Sequence, residues 1–401
     1  MNGANTAWIL TSSALVLFMT LPGLGLFYAG LVKSRNTIST LAQCYGIAAV
    51  ASVVWFVAGY SIAFSGENNY IGDLSKAFLS GVSLKSLSGD IPEILFVMFQ
   101  MTFAIITPAL IVGAYVERIK FSAVLFISTL WILAVYAPVT HWIWGGGWLA
   151  DMGVFDFAGG LVVHATAGVS AIVIVKVLGP RVGFPQYFDP PHSPVIAMTG
   201  AAMLWVGWFG FNGGSALAAN ANAGMAILVT HISAATATLV WMFIDWYKNG
   251  KPGLVGIITG TIAGLATVTP ASGFIGPMGG FILGLLSGSI CYFAVGFIKF
   301  KLNIDDSLDV MAVHGVGGIL GTLLAGILAS GTFGGLGLEK TVFDQTMVQL
   351  IGVIAVVVFT AIVTYVICII TKSVFGLRVA EEQEISEGLD LGTHGEQSYR
   401  F

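Results

Sequence analysis

The sequence predicts an all-α protein that crosses a membrane many times, and three observations carry that prediction. Of 401 residues, 56% are hydrophobic and only 9% are charged, where an ordinary soluble domain carries about 25% charge. Apolar runs of the roughly 20 residues needed to cross a bilayer recur along nearly the whole chain. Glycine supplies 52 residues, an enrichment that suits close helix packing in lipid. This composition excludes a soluble enzyme and a disordered protein, and a net charge of −4 leaves no basic footprint for nucleic acid. Cys44, Cys291 and Cys368 are odd in number, lie in apolar stretches and have no metal spacing, so no zinc site and no required disulfide are expected.

Reading between polar punctuation gives eleven spans, roughly 7–32, 37–64, 93–116, 121–143, 157–178, 194–217, 223–245, 254–270, 276–298, 309–329 and 343–372. The first is a retained helix rather than a signal peptide, because Lys33 and Arg35 follow it and no basic segment precedes it. Pro22-Gly23, Pro108, Pro138, Pro270 and Pro277 interrupt several spans, and the backbone groups they free must be satisfied by protein or by a water-filled cavity.

Lysine and arginine favour the cytoplasmic loops. Counted from an outside N-terminus, the inner side holds Lys33, Arg35, Arg118, Lys120, Lys176, Arg181, Lys248, Lys251, Lys299, Lys301, Lys372, Arg378 and Arg400. The outer loops hold only Lys76, Lys85 and Lys340. The N-terminus is therefore expected outside and the C-terminus inside, which requires an odd number of helices.

A weak internal repeat supports the same layout. Asp156-Phe-Ala-Gly-Gly-Leu-Val-Val-His164 and Asp306-Ser-Leu-Asp-Val-Met-Ala-Val-His314 each place His eight residues after Asp, and Gly168 matches Gly318. These segments fall in spans five and ten. Five helices per half is odd, so the halves, about 1–178 and 194–329, would insert with opposite polarity around a central pathway. Helix eleven, about 343–373, would brace them, and 374–401 would form a separate tail.

Ionisable residues inside a membrane are costly and are therefore functional suspects. Eight helical residues rise about 12 Å. His164 and His314 would thus lie near the bilayer centre, where the two halves cross and the imidazoles can face each other. His231 has no such mate and is read as structural; His141, near a span end, is unassigned. Asp156 suits either cation attraction or a helix N-cap, and both together are compatible. Asp309, at the inner start of span ten near Asp305 and Asp306, reads with them as cap and loop charges at the inner mouth. Phe103, Trp144 and the run Trp208-Phe-Gly-Phe211-Asn212 supply aromatic faces, with Ser215 one turn on. A cation over such a face gains roughly 0.5–2 kcal/mol, although an interfacial Trp such as Trp144 also suits an aromatic belt.

The chain resembles the ammonium-transporter branch of the Amt/MEP/Rh family over nearly its whole length. The resemblance rests on Val16-Leu-Phe-Met-Thr20 and Pro22, Ala114-Tyr-Val-Glu-Arg118, Trp144-Gly-Gly-Gly147, Asp156-Phe-Ala-Gly-Gly160, Trp208-Phe-Gly-Phe-Asn212, Val268-Thr-Pro-Ala271 and His314-Gly315. In the tail it rests on Gly376-Leu-Arg-Val-Ala-Glu-Glu-Gln-Glu384, Gly388-Leu-Asp390 and His394-Gly395. Each motif is modest; their order and spacing are specific.

The resemblance implies a plasma-membrane homotrimer with one pore per subunit, carrying ammonium, ammonia or methylammonium. It implies an outer site at Trp144, Phe103 and Ser215 with Gln100 close by, and Asp156 as the buried acid behind it. Phe103 and Phe211 would be stacked rings closing the outer side. His164 and His314, with Trp208 beside them, would line an otherwise apolar channel. It also implies that the tail folds under the inner face and that a trimeric PII-type signalling protein docks at the inner mouth near Asp309. No cofactor is implied. A Rhesus-type gas channel and an ammonium sensor are the competing readings. A sodium-coupled symporter is disfavoured because no span carries the carboxylate-and-carbonyl set sodium needs, and an enzyme because no span offers a nucleophile–base pair.

Overall fold

A computed structural model describes residues 1–187 and 189–399. Arg400, one of the inner charges counted above, lies outside the described residues. Eleven apolar helices run in chain order: α1 Gly3–Leu31, α2 Ser34–Phe64, α3 Glu93–Tyr115, α4 Phe121–Asp151, α5 Gly160–Leu178, α6 Pro194–Gly214, α7 Ala221–Asn249, α8 Leu254–Val268, α9 Pro277–Lys301, α10 Met311–Leu328 and α11 Val342–Val374. All but α8 are long and apolar enough to cross a bilayer. A two-residue hairpin, β1 Leu87–Ser88 with β2 Ile91–Pro92, is the sheet among the described residues. The chain is thus the multi-pass helical membrane protein its composition predicts.

The expected spans hold to within a few residues except at the end of α4, where helix stops at Ile143 and a turn leads into a last short helix, Trp148–Asp151, and two starts differ informatively. α5 begins at Gly160 rather than 157, and α10 at Met311 rather than 309. Before α5 the chain turns through Gly159 at φ 115°, a conformation that only glycine adopts without strain. Before α10, Asp309 sits at φ 63°. Apolar composition runs through the first junction, from Phe157 to Gly160, so hydropathy alone places that start too early.

Both helices then open with a π-helical turn, Gly160–Ala165 and Met311–Gly315. These are the turns that carry His164 and His314. Single π-turns within helices frequently mark functional sites. Pro22 also sits in a π-turn, Met19–Leu24, which accommodates the hydrogen bond that proline cannot make.

α5 and α10 cross at the centre of the molecule through glycine. A Cβ on Gly168 would stand 2.3 Å from the Gly315 Cα, and one on Gly318 would stand 2.6 Å from the Gly160 carbonyl oxygen. Absence of side chains lets the backbones touch, the condition for close packing where lipid offers no hydrophobic drive. α11 packs against α4, α5 and α10, and so braces elements of both halves.

The face of the bundle that carries the N-terminus is here termed the N-terminal face, and the face that carries the tail is termed the tail face. On the tail face, Arg181 donates to Asp305 at 2.8 and 3.0 Å and to Glu117 at 2.9 Å. Arg118, fully buried, donates to the Asp305 carbonyl at 2.7 Å and the Ser307 hydroxyl at 2.8 Å. Burial by itself raises the Glu117 carboxyl, but Arg181 and the donors from Lys33 and Asn36 reverse that and hold it below the usual carboxylate range.

The tail folds onto this layer. Arg378 forks onto Glu384, whose Oε1 also accepts from the Val182 amide at 2.8 Å. Asn36 accepts from the Leu389 amide at 2.9 Å, and Asp390 accepts from the Ser39 amide at 2.8 Å.

Candidate conduction pathway

Two cavities face each other across the bundle. The one towards the N-terminal face measures about 170 Å³ and is lined by Phe64, Phe96, Phe99, Gln100, Phe103, Trp144, Phe157, Ser215 and Leu217. Four residues that sequence reasoning grouped as an outer site, Gln100, Phe103, Trp144 and Ser215, therefore share one cavity.

Its polar groups are the Ser215 hydroxyl and the Gln100 amide. The Ser215 hydroxyl donates to the Phe211 carbonyl at 2.8 Å, which turns its lone pairs towards a donor. The Gln100 side-chain oxygen is buried without a hydrogen-bond partner. Trp144 is fixed by its indole N–H, which donates to the Asp156 carbonyl at 2.8 Å, and its ring meets Phe103 edge-on at 5.8 Å.

Asp156 lies behind the cavity rather than in it. Its carboxylate accepts from the amides of Gly159, Gly160, Leu161 and Val162, at 2.9 to 3.0 Å for Gly159, Leu161 and Val162. Those donors are the orphan N–H groups of the first turn of α5, so the cap reading of Asp156 is the one its geometry displays. The corresponding cap of α10 is Asp306, which accepts from Val310 at 3.0 Å and Met311 at 2.7 Å. The repeat Asp-to-His spacing is thus a cap followed by a π-turn histidine, used twice.

Beneath the cavity floor the path closes. Phe103 and Phe211 lie 4.3 Å apart between ring centroids, tilted by 33°, and are 1% and 0% exposed. Below them Trp208 stacks on His164 at 5.6 Å, with its indole N–H donated to the Thr269 hydroxyl at 2.9 Å. Thr269, within the Val268-Thr-Pro-Ala271 motif, is its positioning partner, a role the motif by itself does not assign.

His164 and His314 are both buried, their rings nearly parallel at 5.2 Å with Nδ1 atoms 3.2 Å apart. Since only one of two facing nitrogens can donate, the pair shares a single Nδ1 proton. One ring then offers a bare Nε2 and the other an Nε2–H. Nε2 of His164 is buried without a partner.

Past His314 a second cavity of about 190 Å³ opens to the tail face, with Phe27, Leu31, Val255, Ile262, Leu308 and Val313 among its walls. Asp309 lines it and pairs with Lys299 at 2.7 Å, while Lys33 pairs with Asp189 at 2.7 Å nearby. Asp309 is therefore a rim charge, not a helix cap. His231, expected as structural, lies on the outside of α7 against Trp205 and Phe209, away from the two cavities.

Two vestibules joined by a buried, ring-closed and largely apolar passage through a bundle of spanning helices define a membrane transporter or channel for something small. The sequence matches the Ammonium Transporter Family over residues 7–399, and the chain belongs to that family. It is 45% identical to the ammonium transporter of Aquifex aeolicus over 99% of this chain and 93% of that one. It is equally similar to ammonium transporter Amt1 of Archaeoglobus fulgidus, with both chains fully covered. Among solved structures, it resembles a sensor Amt protein with a TM-score of 0.91 at 30% identity, covering 97% of this chain and 98% of that one. It resembles Candida albicans Mep2 with a TM-score of 0.88 at 32% identity, covering 100% and 93%.

Proposed function

We propose that the protein moves ammonium across the membrane by binding the cation at the N-terminal-face cavity, where it gives up one proton to water of that vestibule, and passing neutral ammonia between His164 and His314. The single observation that carries this reading is the passage itself: an oriented hydroxyl acceptor and aromatic faces at its mouth, then buried rings with no carboxylate between them among the described residues. The N-terminal face is taken as the outer one, which the crowding of Lys and Arg on the tail face supports.

Selectivity follows from what each cation can do. Ammonium and potassium are similar in size, so a sieve would fail to separate them. Ammonium carries four N–H donors, one of which the Ser215 hydroxyl can accept, and the aromatic faces add roughly 0.5–2 kcal/mol for any cation. Entering the apolar passage as a charge costs several kcal/mol even after relaxation. An amine escapes that cost by giving up a proton, while potassium and sodium have no neutral form. The fixed positive end of no group is needed; burial alone discriminates.

Asp156 contributes a negative charge behind the site without touching the substrate. The histidine pair offers one acceptor and one donor to a neutral molecule, and exchange of its shared proton gives a separate route for the proton left behind. If that proton crosses, each charge moved draws about 2.3 kcal/mol from every 100 mV of membrane potential. We further propose that the protein works as a homotrimer and that a PII-type protein regulates it from the tail face near Asp309. The exposed apolar flanks of the bundle and the folded tail support these readings.

Saturable methylammonium uptake into proteoliposomes tests the proposal. Uptake supports transport. Binding without uptake would favour the sensing role suggested by the likeness to the sensor Amt protein.

A further inference from the structure

Residues 63–70, the end of α2 and the stretch that follows it, are held by the end of α4 through a series of carbonyl contacts. The Trp142 indole donates to the Tyr70 carbonyl at 2.6 Å, and the Trp148 amide donates to the Asn69 carbonyl at 3.0 Å. His141 makes two such contacts at once. Its Nδ1 lies 3.1 Å from the Ala63 carbonyl oxygen and its Nε2 lies 2.6 Å from that of Asn68. The ring is 1% exposed.

We propose that His141 is a positioning residue for the N-terminal-face site: its imidazole clasps the 63–70 strap to the end of α4 and thereby sets the spacing between two walls of the cavity. The proposal rests on the reading of that cavity as the ammonium site. One wall is Phe64, the neighbour of Ala63; the other is Trp144, three residues after His141. The backbone of His141 serves the same geometry, because its carbonyl accepts from the Gly145 and Gly147 amides at 3.1 and 2.9 Å and so shapes the turn that follows Trp144. The approach is close enough to exclude a side chain at Gly145, whose Cβ would stand 2.0 Å from the Ala63 oxygen.

The chemistry of the clasp separates it from mere space-filling. Both partners are carbonyl oxygens and can only accept, so the ring holds the strap through the nitrogen that carries its N–H, one carbonyl at a time. An aromatic ring without donors fills the same volume and holds neither carbonyl. An amide side chain restores a donor on one side.

The test compares His141→Phe, His141→Gln and His141→Asn with the parent in methylammonium uptake by proteoliposomes, normalised to folded protein. H141F is expected to raise the half-saturation concentration roughly fivefold to tenfold, the scale of one lost hydrogen bond, with the maximal rate per folded protein changed less than twofold. H141Q or H141N should recover part of the affinity. An unchanged half-saturation concentration in H141F, or amide variants no better than phenylalanine, overturns the proposal. If H141F yields no folded protein, the amide variants are read against the parent, and unchanged affinity in both overturns it. Ser215→Ala runs in parallel. If S215A weakens affinity and the His141 variants do not, only the clasp fails. If neither does, the cavity is not the ammonium site and the clasp falls with it.

Discussion

Nδ1 of His164 faces Nδ1 of His314 at 3.2 Å, across the point where α5 and α10 cross. The two residues are 150 positions apart, yet each stands on a π-turn eight residues after a capping aspartate. A hydrogen-bonded imidazole pair carries no fixed charge and is buried on all sides, so it lines a passage without attracting ions.

That arrangement predicts the effect of adding a charge. Replacing His164 or His314 with Asp should let potassium produce a current that the parent denies, while Ala should leave potassium excluded and alter the ammonium-evoked current. Electrophysiology on proteoliposomes with the two cations side by side reads both. Current and selectivity unchanged in every variant would count against a proton-sharing pair.

Ser215 and Trp144 act before the barrier. Ser215→Ala removes the acceptor and should weaken methylammonium affinity by roughly threefold to tenfold. Trp144→Leu removes an aromatic face worth about 0.5–2 kcal/mol to a cation. Competition uptake measures both, and unaltered affinity would move the binding site elsewhere.

The glycine crossing sets the distance between the histidines. Gly168→Ala places a Cβ 2.3 Å from the Gly315 Cα, an overpacking that costs about 1–3 kcal/mol. Thermal unfolding in detergent should show that loss, and uptake per folded protein should fall as the rings separate. Full uptake in a stable G168A protein would mean that the pair tolerates displacement.

On the tail face, Arg181→Met removes the cation shared by Glu117 and Asp305, whose side chains are 4% and 1% exposed. It leaves Glu117 only the neutral donors of the Lys33 backbone N–H and the Asn36 amide, and leaves Asp305 the Arg118 guanidinium at 3.7 Å. Breaking a buried pair costs about 3–5 kcal/mol. The pH dependence has a definite sign. In the parent, Glu117 is held below its ordinary value, so its contribution is present above that value and lost as pH falls through the depressed one. Without Arg181 burial prevails and the value rises, so the variant is most stable when the carboxyl is protonated. The stability gap should therefore narrow on acidification from about pH 7 towards about pH 5. A gap that widens over that range contradicts the assignment.

Much of this was legible in the chain. Apolar runs gave the spans, and the doubled Asp-to-His spacing gave the histidine pair, because a residue near mid-membrane that costs so much to bury stands out against Leu and Gly. Geometry between distant segments was not legible. Asp305, Asp306 and Asp309 are alike as letters, and only the fold decides which faces amides, which meets Arg181 and which sits on the rim. Thr269 stands in a motif, but its role shows only where Trp208 reaches it. His141 carried no repeat and no motif, since its partners are backbone carbonyls, which every residue possesses.

The most direct test of the central claim is initial uptake of radiolabelled methylammonium and radiolabelled rubidium into the same proteoliposomes under equal inward gradients. Selection by loss of a proton predicts saturable methylammonium entry and rubidium entry no faster than in protein-free vesicles. Rubidium entering as fast as methylammonium would contradict it.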